Sequence, residues 1–154
     1  MKKHYIFSRF FQSQISAYSL SELAQYMAVF YFDMRSVHFN TQGPNFLELH
    51  EYAQELYEQA EDYYDDLIET ALSFHEKIQP MSVTPGDCPP LTDQSNLNDV
   101  DTIGVMINRV RTLFDYLESI NKDAYPSFVY SKIDSMLEWL DKQNYKLQQM
   151  SKEI

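Results

Sequence analysis

Residues 45–72 read NFLELHEYAQELYEQAEDYYDDLIETAL, and this stretch decides the fold. Phe46, Leu49, Ala53, Leu56, Ala60, Tyr64, Leu67 and Ala71 recur at steps of three and four, which lays them along one face of an α-helix. Asn45 stands three residues before Glu48, a cap followed by an acid that suits the positive end of the helix dipole. No Pro or Gly interrupts the run before Pro80. The spacing therefore predicts a helix of roughly thirty residues, about 45 Å long at 1.5 Å per residue.

Upstream, Ser19-x-x-Glu22 is a capping-box pattern. Leu20, Leu23, Ala24, Met27, Tyr31 and Met34 follow on one helical face, and four residues beyond Met34 comes His38. Gln42-Gly43-Pro44 then stops this first helix, since Gly takes the turn and Pro cannot continue it. Downstream, Pro80 to about Asn98 holds four of the chain's six prolines and Gly86, and reads as a long crossover with one short helical turn near Leu91 to Gln94. A third helix is predicted from about Asp99 to Ile120, burying Ile103, Met106, Ile107, Val110, Leu113, Phe114 and Leu117. After the turn Asn121-Lys122-Asp123, Pro126 suits the first turn of a fourth helix carrying Val129, Ile133, Met136, Leu137, Leu140 and Leu147. Connections that run short, long, short predict an all-α, ferritin-like four-helix bundle with a long crossover between the second and third helices. Residues 1–18 read as an N-terminal extension and 19–154 as a single domain.

With 44% hydrophobic and 15% aromatic residues, the chain is too apolar to stay disordered. Its net charge of −11 opposes binding to phosphate backbones and suits a protein that collects cations, although acidity also serves plain solubility. The lone Cys88 excludes an intrachain disulfide and points to a reducing compartment. Ser8 and Arg9 break the N-terminal apolar run short of a signal sequence, and no stretch approaches the ~18 apolar residues of a membrane span. A cytoplasmic protein is expected.

The candidate chemistry lies on the first two helices. His38 ends the first on its apolar face, and His50 sits one turn into the second. Asp65 and Glu69, four apart, share a face and can grip a common cation. Counted from His50 at 100° per residue, they fall at about 60° and 100°, so all three lie on one side of the helix. Yet His50 and Asp65 are about 22 Å apart along the axis, far beyond two ligand bonds of about 2 Å each. Two copies of this helix, antiparallel across a two-fold axis, would bring the histidine end of one to the Asp65–Glu69 end of the other. Two imidazoles and two carboxylates make a mixed nitrogen and oxygen site suited to iron. Each residue also has an ordinary reading: a histidine beside an apolar face is commonly a core or surface residue, and Glu61-Asp62-Tyr63-Tyr64-Asp65-Asp66 can be a solvated acidic run.

The stretch Arg35-Ser36-Val37-His38-Phe39-Asn40-Thr41-Gln42-Gly43-Pro44-Asn45-Phe46-Leu47-Glu48-Leu49-His50-Glu51 resembles the motif region of the Dps family of mini-ferritins. The family pattern is a His, eleven residues, a second His, fourteen residues, an Asp, three residues and a Glu; His38, His50, Asp65 and Glu69 reproduce every interval. Glu55-Leu56-Tyr57 also matches family usage. The resemblance implies a hollow dodecamer built from two-fold dimers. Ferrous iron would be oxidised there, often by hydrogen peroxide, at ferroxidase sites shared between subunits. It supports the intersubunit arrangement already reached from helix length. The alternative ferritin-type centre inside one bundle uses Glu-x-x-His pairs, and no His here has a Glu three residues before it.

Two positions depart from the family. The acid four residues after the second His is replaced by Gln54, a weaker or water-mediated ligand, so the iron site reads as di-iron or mono-iron; Glu51 and Glu55 are the nearest acids that could stand in. The Trp after the first His is replaced by Phe39, which oxidises far less readily. DNA binding is not expected, because Lys2, Lys3 and Arg9 are the cations of the first eighteen residues and the C-terminus is not a basic tail. Two other functions fit the same residues: a catalytically silent helical-bundle shell or interaction protein, and a divalent-metal buffer in which Zn substitutes for Fe.

Overall fold

In the computed structural model, residues 17–81, 85 and 95–154 are described. Four helices follow in order: α1 (Leu20–Asn40), α2 (Phe46–Ser73), α3 (Asp99–Glu118) and α4 (Ser127–Glu153). The helical turn expected near Leu91, Cys88, the three basic residues near the N-terminus and most of the N-terminal extension lie outside the described residues.

Two of the four helices, α1 and α3, begin at a side-chain cap. The Ser19 hydroxyl accepts from the Glu22 amide at 3.2 Å while Glu22 accepts from the Ser19 amide at 3.2 Å, a complete capping box. The Asn98 side chain caps α3 through the Asp101 amide at 2.8 Å. Asn45, expected to cap α2 with its side chain, instead turns that side chain to Asp99: its amide nitrogen donates to Asp99 Oδ2 at 2.9 Å and its backbone N–H donates at 3.3 Å. Pro126 stands one position earlier than expected, as the N-cap of α4, with Ser127 the first helical residue. At the far end of α2, His75 takes a positive φ of 60°, and the amides of His75 and Glu76 return to the carbonyls of Leu72 and Ala71, a Schellman closure normally given to Gly. That closure ends α2 seven residues before Pro80.

Two backbone pairings fix the topology. Tyr18 bonds to Ser119 and Asn121, placing the start of α1 at the end of α3. Thr41 pairs with Leu97, with the Gln42 amide on the Leu97 carbonyl at 2.7 Å, placing the α1–α2 turn at the start of α3. α1 and α2 form one antiparallel hairpin and α3 and α4 the other. The start of α3 thus lies beside the start of α2, which spans 28 residues, about 42 Å, and α3 runs parallel to α2. This is the expected ferritin-like arrangement.

The predicted apolar faces meet in one core, in which Leu23, Met27, Met34, Leu56, Met106 and Leu140 are fully buried. Side chains of this size stabilise the fold by about 1.5–3 kcal/mol each when removed from water. Trp139 of α4 lies edge-on to Phe30 of α1 and Tyr63 of α2, with ring centroids 6.0 and 5.3 Å apart. The core also encloses an ion pair, Arg109 Nε to Asp33 Oδ2 at 3.0 Å, joining α3 to α1. Phe46 departs from its expected burial: it is 40% exposed and lies against the His50 ring.

Gly43 shows how tightly the α1–α2 turn is held. Its φ is +124°, and a Cβ there would lie 2.7 Å from Asp99 Oδ1. Gly43→Ala combines backbone strain with displacement of the carboxylate that holds Asn45, and is expected to destabilise the fold by about 1–3 kcal/mol in chemical denaturation. An unchanged unfolding midpoint would show that the turn relaxes freely.

Candidate metal centre

The α1–α2 turn brings His38 and His50 face to face. Their rings stack with centroids 3.6 Å apart and planes 22° apart. His38 Nδ1 is 2.8 Å from the His50 carbonyl oxygen, and His50 Nδ1 is 2.7 Å from the His38 carbonyl oxygen. A carbonyl only accepts, so both bonds require the proton on Nδ1, and in the neutral rings both Nε2 atoms carry bare lone pairs. The His38 carbonyl is free for this because the Thr41 amide goes back to Val37 and the Gln42 amide leaves for Leu97. The helix end thus supplies an acceptor that orients the His50 ring, the kind of support that ligating histidines commonly receive at their second nitrogen. His38 is 8% exposed, while His50 is half-buried.

Aromatic rings wall the pair. Tyr57 stands edge-on to His38 at 5.4 Å and to Tyr31 at 5.9 Å, and the exposed Phe39 is 5.2 Å from His38. Arg35 lies 5.1 Å over Tyr57 and 5.8 Å over Phe39, and donates to the Tyr31 hydroxyl at 2.7 Å. That hydrogen bond raises the guanidinium pKa further, so its charge is constant. Arg35 and Tyr57 as neighbours of the site were not anticipated, although Arg35 sits three residues before His38, a helical contact spacing, while Tyr57 reaches His38 from the other helix.

The other predicted residues do not join the histidines within one chain. Asp65 and Glu69 are exposed along α2, about 22 and 28 Å from His50 by helical rise. Burial, and then the neighbouring Asp65, raise the Tyr64 hydroxyl pKa. Among the described residues of a single chain, no three His, Cys, Asp or Glu side chains come close enough to hold a metal ion. Gln54 is half-buried one turn beyond His50, and its amide nitrogen donates to Glu58 Oε1 at 2.7 Å. Glu51 and Glu55, the expected stand-ins, line a groove of about 720 Å³ against Tyr145, Lys146 and Met150 of α4. Glu58 is the acid the sequence reading passed over; its i,i+4 spacing from Gln54 was the available signal.

Solved structures share this architecture. Dps92 from Deinococcus radiodurans superposes with a TM-score of 0.72 at 15% identity, covering 92% of this chain and 86% of that one. The chain has the fold of the Dps proteins. A Vibrio cholerae O1 Dps protein, described as a member of a broad superfamily of ferritin-like diiron-carboxylate proteins, gives 0.70 at 21% identity over 89% of each chain. A Dps protein from Bacillus brevis gives 0.54 at 19% identity, over 94% and 92%. The curated DNA protection during starvation protein of Brevibacillus brevis is 38% identical over 60 residues, which span 39% of this chain and 40% of that relative. No family model matches. Among the described residues of this Dps-type bundle, no helix is long and apolar enough to cross a membrane.

The paired imidazole bonds make a spectroscopic prediction. Long-range ¹H–¹⁵N spectra of the apo protein above the histidine pKa should show two imidazoles protonated at Nδ1 and bare at Nε2. A dominant Nε2–H tautomer at either residue would refute the lock.

Proposed function

We propose that this chain binds Fe(II) between two copies, oxidises it with hydrogen peroxide or oxygen, and stores the ferric product in a closed homo-oligomeric cage, a dodecamer by its likeness to the Dps proteins. The observation that carries the reading is the locked histidine pair, which presents two bare Nε2 atoms while no third ligand approaches among the described residues of its own chain. His38 and His50 of one copy would hold the ion with Asp65 and Glu69 of the second. Iron is the substrate; in its place Zn(II) would bind without turnover. Two Fe(II) ions give up one electron each, and one peroxide takes both with two protons to form two waters. The chain's part is to hold the ions, fix the imidazole lone pairs and keep carboxylate charge beside the ferric product.

The exposed face of α2 supports such pairing. The antiparallel register that sets His50 against Glu69 of a second copy also sets Gln54 against Asp65, Glu58 against Glu61 and Leu47 against Leu72. Leu47 and Leu72, 64% and 54% exposed, would cover each other at the two ends. A cytoplasmic place and no hold on DNA complete the proposal, since α2 carries nine Asp or Glu and neither Lys nor Arg, in a chain of net charge −11.

Complementation tests the shared site. His50→Ala and Glu69→Ala chains are each expected to lose rapid Fe(II) oxidation. A co-refolded equal mixture should recover about a quarter of the wild-type sites, because half the pairs are mixed and each of those has one intact site. Recovery absent in the mixture, with both variants folded, would sink the intersubunit reading. Binding of iron without oxidation in the wild type would favour a divalent-metal buffer, and neither would favour a silent shell.

A further inference from the structure

Gln54 leaves the second ion position short of a negative oxygen if residue 54 is considered alone. The structure offers another source. Side chains on a helix lean towards its N-terminus, so Glu58 reaches back along α2 over the preceding turn. There its Oε1 accepts from Gln54 Nε2 at 2.7 Å, which brings the carboxylate to the end of the Gln54 side chain. Glu58 is otherwise exposed, with no ion pair to a Lys or Arg among the described residues. Nor can α2 neutralise it, having neither Lys nor Arg. In the register above, Asp65 of the second copy faces Gln54. Two carboxylates, Glu58 and the second copy's Asp65, would then confront each other across the pair. Opposed carboxylates repel unless a cation lies between them.

We propose that Glu58, positioned by Gln54, supplies the carboxylate that binds the second divalent cation at the shared site. This rests on the intersubunit reading. It assigns the two residues different roles: Glu58 is a ligand, while Gln54 is a positioning residue whose amide donates to the carboxylate and keeps it turned towards His50. An acid at 54 would fill the position directly; here the charge comes from one turn further along and is steered by a neutral amide.

Anaerobic titration calorimetry with Fe(II), repeated with Co(II) and its visible absorption, tests this without turnover. The wild type should bind two ions per shared site. Glu58→Gln, an exposed and nearly isosteric change, should weaken the second ion by at least ~10-fold and leave the first, held by the histidines, within about threefold. Gln54→Leu should weaken the second ion by a smaller factor, because the carboxylate remains but is no longer steered. Restoring an acid in Gln54→Glu/Glu58→Gln should recover the second ion. Two unweakened ions in Glu58→Gln would overturn the assignment and leave the intersubunit site standing, as would a single ion in the wild type. No ion bound by the folded wild type at all would overturn both.

Discussion

Two hydrogen bonds across one short turn fix how the two histidines are presented. The His38 imidazole donates to the backbone of α2 and the His50 imidazole donates to the backbone of α1, so each helix orients the other's imidazole. The arrangement depends on α1 ending at Asn40, where the helix leaves a carbonyl without an amide partner. It depends equally on the turn geometry that Gly43 permits and Asp99 secures. Asp99 is the first residue of α3, so the second hairpin of the bundle braces the turn that aligns the histidines. The start of α3 therefore braces the candidate site from outside the first hairpin.

Much of this was legible in the residues. The start of α1 carried its own signal at Ser19-x-x-Glu22, and apolar periodicity placed the buried face of α1 from Leu20 to His38. The crossover could be read from four prolines in one segment. What escaped were features set by which partner a side chain or helix end finds once folded. Asn45 has the composition of a cap, but Asp99 arrives from 54 residues away and claims its side chain. Phe46 follows the apolar period and still stays half in solvent, because its neighbour is the His50 ring rather than the core. His75 closes α2 in a conformation that Gly ordinarily takes, and nothing in the local sequence marks it. At the candidate site, the histidines, Asp65 and Glu69 could be named from spacing, but the direction in which Gln54 turns could not. Rotamers of exposed polar side chains are chosen by whichever partner is in reach, and here that partner is Glu58.

Charge in the molecule is distributed unevenly. Inside, Asp33 and Arg109 offset each other between α1 and α3, and a buried pair of this kind costs more to break than it contributes by being present. On the side of α2 facing α4, Lys132 meets Asp66 at 2.5 Å. Among the described residues no carboxylate on the remaining face of α2 is in a salt bridge, and Arg35 is held over aromatic rings beside the histidines. Such a face favours cations over any anionic partner, and it does so along the helix that also bears the histidine pair.

The position of Trp139 makes the molecule its own optical gauge. This chain has a single tryptophan, wedged against Phe30 and Tyr63 on the α4 side of α2. Tyr63 is about 20 Å along the axis from His50 and on another side of the helix. Indole emission consequently follows the seating of α4 on the first hairpin, and a shift to longer wavelength signals that the two hairpins have parted. One sample can thus be followed for helix packing through its single indole, with no label attached.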